Sequence, residues 1–304
     1  MSRISSDPLP KAPDKVLLTG GTSYLGRRLT RRLLAAGTEV HITVRPTSDL
    51  SRLDGLHGKP VFHVHDGGTK DLVNIIGSVQ PAVVFHMATQ YLRHHKTEQI
   101  DDLITNNILF GTQLLEAMQQ ASCKRLISLG TFFQFHNSDN YSPTNLYAAT
   151  KQAFEDIVAF YREAHDFSTA TLILYDTYGP GDWRGKLMNA IRDAQFTGSP
   201  LDLVPADTIM DLVYVEDVVD ALLHTAQEKL EGGPWTVRSD NQVSLEEVIR
   251  TFEVVGGKPV QANYGVYPVP DRTPGKPWKG PLLPGWQPAT SLQEGIKRFL
   301  AGEN

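Results

Sequence analysis

Between Val16 and Tyr175, short apolar runs alternate with segments whose apolar residues recur at helical spacing. That alternation constrains the fold more than any other feature of the chain. The runs are Val16–Thr19, "EVHITV" from Glu39, "PVFHVH" from Pro60, "AVVFHMA" from Ala82, "RLISL" from Arg125 and "ATLILY" from Ala170. Leu25, Leu29 and Leu33 mark a first helix, which Gly37 stops. Another helix runs through "LITNNILFGTQLLEAMQQ", and a long one covers Tyr147 to about Ala164. Strands that are apolar on both faces need cover on both, and crossovers between parallel strands are right-handed. The pattern predicts an α/β fold, a doubly wound parallel sheet of the Rossmann type. Ligands of such sheets sit at the carboxyl ends of the strands.

Past Gly179 the texture changes. Prolines and glycines cluster in "YGPGDW" and "YPVPDRTPGKPWKGPLLPGWQP", and the elements shorten. Residues 15–178 read as the larger lobe, to which 207–230 return. The rest of 179–304 reads as a smaller C-terminal substrate lobe. "SLEE" at Ser244 and "SLQE" at Ser291 are capping-box starts of short helices.

Composition excludes several classes. In a chain of 304 residues, a formal net charge of -5 argues against nucleic acid as the main partner, because phosphate-backbone binding wants a basic face. No apolar run approaches the length of a membrane span. The polar, proline-rich residues 1–14 read as a disordered leader rather than a signal peptide. A single cysteine, Cys123, permits no intrachain disulfide, so a reduced cytoplasm is the expectation.

The first strand runs directly into "TGGTSYLG". Gly20 and Gly26 suit a turn that must be tight, must let backbone approach a pyrophosphate, and must aim a helix N-terminus at its charge. Thr22, Ser23, Tyr24 and Leu25 ride on that turn. After the second strand stands Arg45, where an acidic residue would hold ribose hydroxyls. A guanidinium suits a 2′-phosphate, so NADP(H) is the expected cofactor, with NAD(H) possible. Arg27 is placed to help. The alternative is a solvated Arg45 with Asp49 on the ribose. Asp66, after the third strand, is placed to meet the adenine. Ala88 and Thr89, after the fourth, lie on the nicotinamide side.

"LYAATKQAFEDI" puts Tyr147 and Lys151 at i and i+4, on one face of the helix that follows the fifth strand. A phenol is a weak acid at neutral pH, and a nearby ammonium would lower its pKa. Such a tyrosine can exchange a proton with a substrate oxygen while a hydride moves to or from a nicotinamide.

With these motifs the chain resembles the extended short-chain dehydrogenases/reductases, the nucleotide-sugar epimerase/dehydratase group. "TGGTSYLG", "HMAT", "NNILFGTQLLEA", "YAATK", "YGPGD", "DLVYVEDVVDAL" and "PGWQPATSLQEGI" carry the likeness along nearly the whole chain. "ISLGT", "TNLYAATKQ" and the "FF" after Thr131 make it most similar to the CDP-paratose and CDP-abequose synthases. That resemblance implies an NADPH-dependent reductase of a CDP-4-keto-3,6-dideoxyhexose. It also implies a homodimer through the helices near Ile100–Gln120 and Tyr147–Ala164.

The chain departs from the group at named positions. Ser23 replaces the middle glycine of the turn. "SLGTFF" offers Thr131, with Ser128 second, to hold the substrate carbonyl. Phe132 and Phe133 stand where dehydratases carry an Asp-Glu pair, which argues against elimination of water. Met210 replaces an arginine that contacts the sugar diphosphate, and Arg272 is the candidate to supply that charge.

Other signals are weaker. His63 with His65, and His94 with His95, lack the further ligands a metal site needs, so no metal is expected. Asp176 either reaches the sugar or caps a turn. Asn107 reads as a buried support that bonds backbone. Trp183 and Trp278 are candidates to stack on a base, and Trp286 reads as core of the smaller lobe. Val218, Ala221 and Leu222 read as core. The expectation is reduction of a nucleotide-linked 4-keto sugar with Tyr147, Lys151 and Thr131 as catalytic residues. The rivals are a 4-epimerase with bound NAD, a reductase of a small non-nucleotide carbonyl, and a non-catalytic NADP(H)-binding regulator.

Overall fold

The computed structural model describes residues 13–239, 241–269 and 271–302. Of the leader assigned to residues 1–14, all but Pro13 and Asp14 lie outside the described residues. In chain order the larger lobe comprises β1 (Lys15–Thr19), α1 (Tyr24–Ala35), β2 (Glu39–Val44), β3 (Val61–Val64), α2 (Thr69–Val79), β4 (Val83–His86), α3 (Ile100–Ile104), α4 (Phe110–Gln120), β5 (Arg125–Thr131), α5 (Leu146–His165) and β6 (Ser168–Leu174). There follow β7 (Asp176–Tyr178), α6 (Leu187–Thr197), β8 (Leu201–Asp202), β9 (Ile209–Met210), β10 (Leu212–Tyr214), α7 (Val215–Gln227), β11 (Gly232–Val237), β12 (Val243–Ser244), α8 (Leu245–Gly256), β13 (Ala262–Asn263) and α9 (Leu292–Ala301).

The main sheet has seven strands in the order β11-β6-β5-β4-β1-β2-β3, and every pairing in it is parallel. The chain reverses direction across the sheet between β1 and β4, which opens the ligand crevice at that switch point. Side-chain alternation sorts the two faces. Val16, Leu18, Phe85 and Ile127 face α1 and α7 in one buried cluster. Leu17, Val84 and Leu126 face α2, α4 and α5 in the other. Leu29 and Leu33 on α1 are fully buried, as their spacing predicts.

Three features go beyond the expectation. α2 is a helix between β3 and β4 that buries Leu72, Ile75, Ile76 and Val79. β11 extends the sheet from within the segment assigned to the smaller lobe, and its "GGPWTV" hides it, because glycine and proline are poor strand formers. Trp286 packs with Leu283 in the α1/α7 cluster, so it is core of the larger lobe, not of the smaller one. Val218, Ala221 and Leu222 on α7 are buried there as expected. The smaller lobe gathers around Met188, Ile191, Phe252, Ile296 and Phe299 from α6, α8 and α9. At Ser244 the capping box is complete, with Glu247 N donating to Ser244 Oγ at 3.2 Å and Ser244 N to Glu247 Oε2 at 2.7 Å. At Ser291 only the forward bond forms, because Glu294 accepts from Arg298 Nε instead.

Phe154 anchors α5 to the sheet. Its ring fills the space beside Gly111 of α4, which any Cβ would close, and tilts against His86 with ring centroids 5.0 Å apart. Phe154→Ala should therefore cost about 3–5 kcal/mol of unfolding free energy. Urea denaturation checks this, and a loss below about 1 kcal/mol would mean that α5 is held mainly elsewhere.

Candidate active site

A groove of about 860 Å³ runs along the carboxyl ends of the central strands. Its floor is set by close backbone approaches. Gly20 has φ +72°, and a Cβ there would come within 2.7 Å of Ala88 N, so β1 turns directly over the end of β4. A Cβ on Gly26 would strike the carbonyl oxygen of Gly20. Gly26 itself does not line the groove, but its lack of a side chain lets α1 start against the turn. Ser23 caps α1 by accepting from Gly26 N at 3.1 Å, and no acidic residue occupies the first turn. That helix end keeps its partial positive charge for an anion. Thr22, Ser23, Tyr24 and Leu25 line the groove beside it. The Tyr24 hydroxyl donates to Pro180 O at 3.1 Å, and the guanidinium of Arg184 lies 4.5 Å from the centre of its ring.

At the β2 end, Arg45, Ser48 and Arg52 line the groove; Arg27 and Asp49 do not. Asp49 is taken up in its own turn, where it accepts from Ser51 N at 3.2 Å and Arg52 Nε at 3.3 Å. Asp66 lines the groove after β3 and accepts from Gly68 N at 2.8 Å. His65, Asp66 and Asp71 bring three ligand-type atoms within 4.8 Å of one another, which the sequence reading did not foresee. Asp71 Oδ2 already accepts from Asp66 N at 3.2 Å and faces His65 Nδ1 at 3.4 Å. The other histidine of that pair points elsewhere: His63 meets His41 at 2.8 Å, away from the groove. The glycine cradle, the N-terminus of α1 with no acid in its first turn, and the cationic β2 end together fit a dinucleotide.

Tyr147, Lys151, Thr131 and Ala88 all line the groove. Asn145 caps α5 through Ala148 N at 2.9 Å, which points the first turn and Tyr147 into the groove. Tyr147 is buried, shares a hydrogen bond with Thr89, and has the ring of Tyr91 edge-on at 5.0 Å. Thr89 Oγ1 donates onward to Asn107 Oδ1 at 3.0 Å. Asn107, buried in a π-helical turn at Thr105–Leu109, also accepts from Gln90 N at 2.7 Å and donates to Gln90 O and Thr150 Oγ1. It is the support the sequence suggested.

The expected depression of the Tyr147 pKa is corrected here. Burial pushes the phenol up, the Thr89 bond pulls the other way, and Tyr91 adds to the rise; Lys151 is not among the groups that shift it. Lys151 acts instead on His86, which burial above all, helped by that ammonium, holds neutral down to about 3. Burial pushes Lys151 itself down to about 8, against the pull of Glu155.

Two substrate candidates lie elsewhere. Ser128 is buried on the opposite face of β5, where its Oγ meets Thr171 Oγ1 at 2.9 Å; in a strand only alternate residues share a face, and Thr131 takes the groove side. Arg272 lines a separate pocket of about 230 Å³ with Arg93, His94 and His95, and donates to Pro143 O at 2.9 Å and Ser142 Oγ at 3.0 Å. Met210 packs in the smaller lobe's core. Asp176 does line the groove, together with Arg184 and Lys186, which no motif had marked. Phe132 and Phe133 form its apolar wall with Tyr175, which stacks on Phe132 at 5.1 Å. Trp278 stacks on Phe135 at 3.7 Å, and Trp183 lies edge-on to Tyr24 at 5.7 Å.

Fold and groove define a dinucleotide-binding protein of the doubly wound class. Residues 16–237 match the model of the NAD dependent epimerase/dehydratase family, and the chain belongs to that family, whose members are NAD-dependent enzymes of the oxidoreductase type. It is similar to a CDP-abequose synthase of Salmonella muenchen, 26% identical over 94% of this chain and 97% of that protein. It is likewise 26% identical to a UDP-glucose 4-epimerase of Mycolicibacterium smegmatis, over 93% of this chain and 96% of the other. Among solved structures, the Thermus thermophilus UDP-glucose 4-epimerase complex with NAD superposes with a TM-score of 0.81 at 23% identity, covering 95% of this chain and 98% of that one. At that identity the superposition establishes the fold.

Gly20→Ala combines a strained φ with a clash against Ala88. It should weaken binding of the reduced nicotinamide dinucleotide at least about tenfold, a difference of roughly 1.4 kcal/mol, while leaving the far-ultraviolet circular dichroism unchanged. Titration of nicotinamide fluorescence checks this, and unchanged affinity would remove the cradle from the account.

Proposed function

We propose that this enzyme is an NADPH-dependent reductase of a nucleotide-linked 4-keto-6-deoxy or 3,6-dideoxy hexose. The observation that carries the reading is the lining of the groove: Tyr147, Lys151 and Thr131 share it, so a proton donor and a hydroxyl stand together, and Phe132 and Phe133 leave no carboxylate beside Thr131 to drive elimination. The likeness to CDP-abequose synthases supports the substrate class. Arg45 at the β2 end, with Asp49 turned to its own loop, supports NADPH.

Bound at the cradle, the dinucleotide supplies the hydride. Gly20, Thr22, Ser23, Tyr24 and Leu25 hold its pyrophosphate, and Arg45 and Ser48 its 2′-phosphate. Asp66 meets the adenine, and Lys151 the nicotinamide ribose. Tyr147 gives its proton to the developing alkoxide. Thr131 Oγ1 accepts from Phe133 N at 3.4 Å, which leaves the hydroxyl hydrogen to donate to the same oxygen. Asp176 and Lys186 address the sugar side. A 4-epimerase is the second reading, favoured by the equally similar UDP-glucose 4-epimerase relative. It requires Tyr147 first as a base and then as an acid with NAD retained between the two steps, and Arg45 in place of an acidic residue speaks against NAD. We also infer a homodimer: Ile100, Ile104 and Leu109, with Phe160 on α5, expose apolar side chains on the two helical faces the resemblance points to. The one cysteine, Cys123, is buried and free, which suits a reducing cytoplasm.

Loss of nicotinamide absorbance with CDP- and dTDP-4-keto-6-deoxyglucose, offering NADPH and NADH separately, tests the reading. NADPH should be oxidised with one nucleotide. Tyr147→Phe should lower kcat about 10²–10⁴-fold with NADPH affinity nearly unchanged. Undiminished turnover in that variant would remove the mechanism. Arg45→Asp should shift the preference toward NADH; an unchanged ratio would return the ribose to another residue. Phe160→Glu should yield monomer in light scattering, and an unaltered mass would place any dimer contact elsewhere.

A further inference from the structure

Lys151 and Glu155 stand one helical turn apart on the same face of α5. Lys151 is buried, and among the described residues its ammonium makes no hydrogen bond to protein. Its charged or titratable neighbours are Tyr147 and Glu155 on its own helix and His86 from β4, held neutral. Around Glu155 stand Lys151, Asp156 and Arg162. From the sheet side, β5 and β6 present only hydroxyls. Thr171 Oγ1 donates to Glu155 Oε1 at 2.6 Å, and having one hydrogen it must accept from Ser128 Oγ at 2.9 Å. The donors thus run in one direction, Ser128 to Thr171 to Glu155; burial pushes the Glu155 carboxyl up, and the Thr171 bond and the Lys151 ammonium pull it back toward the carboxylate.

Resting on the dinucleotide-dependent reading above, we infer that Glu155 is a positioning residue: its carboxylate, anchored by Thr171 and Ser128, is the counter-charge that keeps Lys151 an ammonium in the groove. Ser128, which the sequence placed at the substrate, takes its role here, two hydrogen bonds behind the helix. The arrangement answers a physical problem. Burial drives Lys151 toward the neutral amine, which could no longer present a positive charge to the nicotinamide ribose or the developing alkoxide. One buried carboxylate on the same helix offsets that loss without entering the groove, since Glu155 does not line it.

Cofactor binding reads this without any sugar substrate. NADPH affinity of the purified protein, followed by nicotinamide fluorescence between pH 6 and 10, should fall as the pH rises through about 8, where Lys151 loses its proton. Lys151→Met should lack that limb. Glu155→Gln should move it down by about one pH unit, the shift expected when an opposite charge nearby is removed. Thr171→Val should move it the same way by less, and it decides the matter if Glu155→Gln does not fold. A purely structural role would lower affinity at every pH and leave the midpoint in place, and that result overturns the inference. So does a wild-type profile without a limb, or a limb that Lys151→Met retains. Wild-type protein that binds neither NADPH nor NADH at any pH would instead overturn the dinucleotide reading, and the inference with it.

Discussion

Three stretches of backbone meet where β1 ends, and the molecule is built around that contact. Gly20 turns over Ala88 at the end of β4, and α1 begins with Gly26 against the carbonyl of Gly20. No side chain fits between them. The approach fixes how α1 sits on the sheet, where the crevice opens between β1 and β4, and what can lie in it. It leaves the N-terminus of α1 with its partial positive charge at that end of the groove, with Ser23 as its cap and no acid to neutralise it.

At the other end of the groove, burial governs the chemistry. The same desolvation that raises the Tyr147 phenol lowers the Lys151 ammonium, so the pair is held as a neutral acid beside a weakened cation. The phenol is thus held protonated in the groove. Asn107 contributes through geometry rather than charge: three hydrogen bonds from one π-helical turn fix Thr89 and Gln90, a fourth ties the turn to Thr150, and Thr89 in turn orients the phenol.

How far the sequence disclosed this depends on the range of the interaction. The glycine turn, the leucine stripe of α1 and the Tyr147–Lys151 spacing are local patterns, and each stands where its chemistry requires. Ser128 and Thr131 were not separable by composition; the register of β5 on β6 pairs Ser128 with Thr171 and turns it from the groove. Arg272 lies outside the main groove because its loop binds Ser142 and Pro143, a contact between segments far apart in the chain. The rise of the Tyr147 pKa depends on how deeply three elements bury it, which no spacing encodes. β11 was hidden by its glycines and proline. α2 was legible in the spacing of Leu72, Ile75, Ile76 and Val79, all buried, and the strand-centred reading passed over it.

The central claim is that the groove delivers a hydride from an exchangeable dinucleotide and a proton from Tyr147 to a sugar carbonyl. Turnover of a nucleotide-linked 4-keto sugar with NADPH deuterated at the transferable position of the nicotinamide, followed by mass and NMR analysis of the product, tests it most directly. The account predicts one deuterium at the sugar carbon that bore the carbonyl, with NADP⁺ released in equal amount. A product without deuterium, from protein that carries a tightly held NAD, would contradict it.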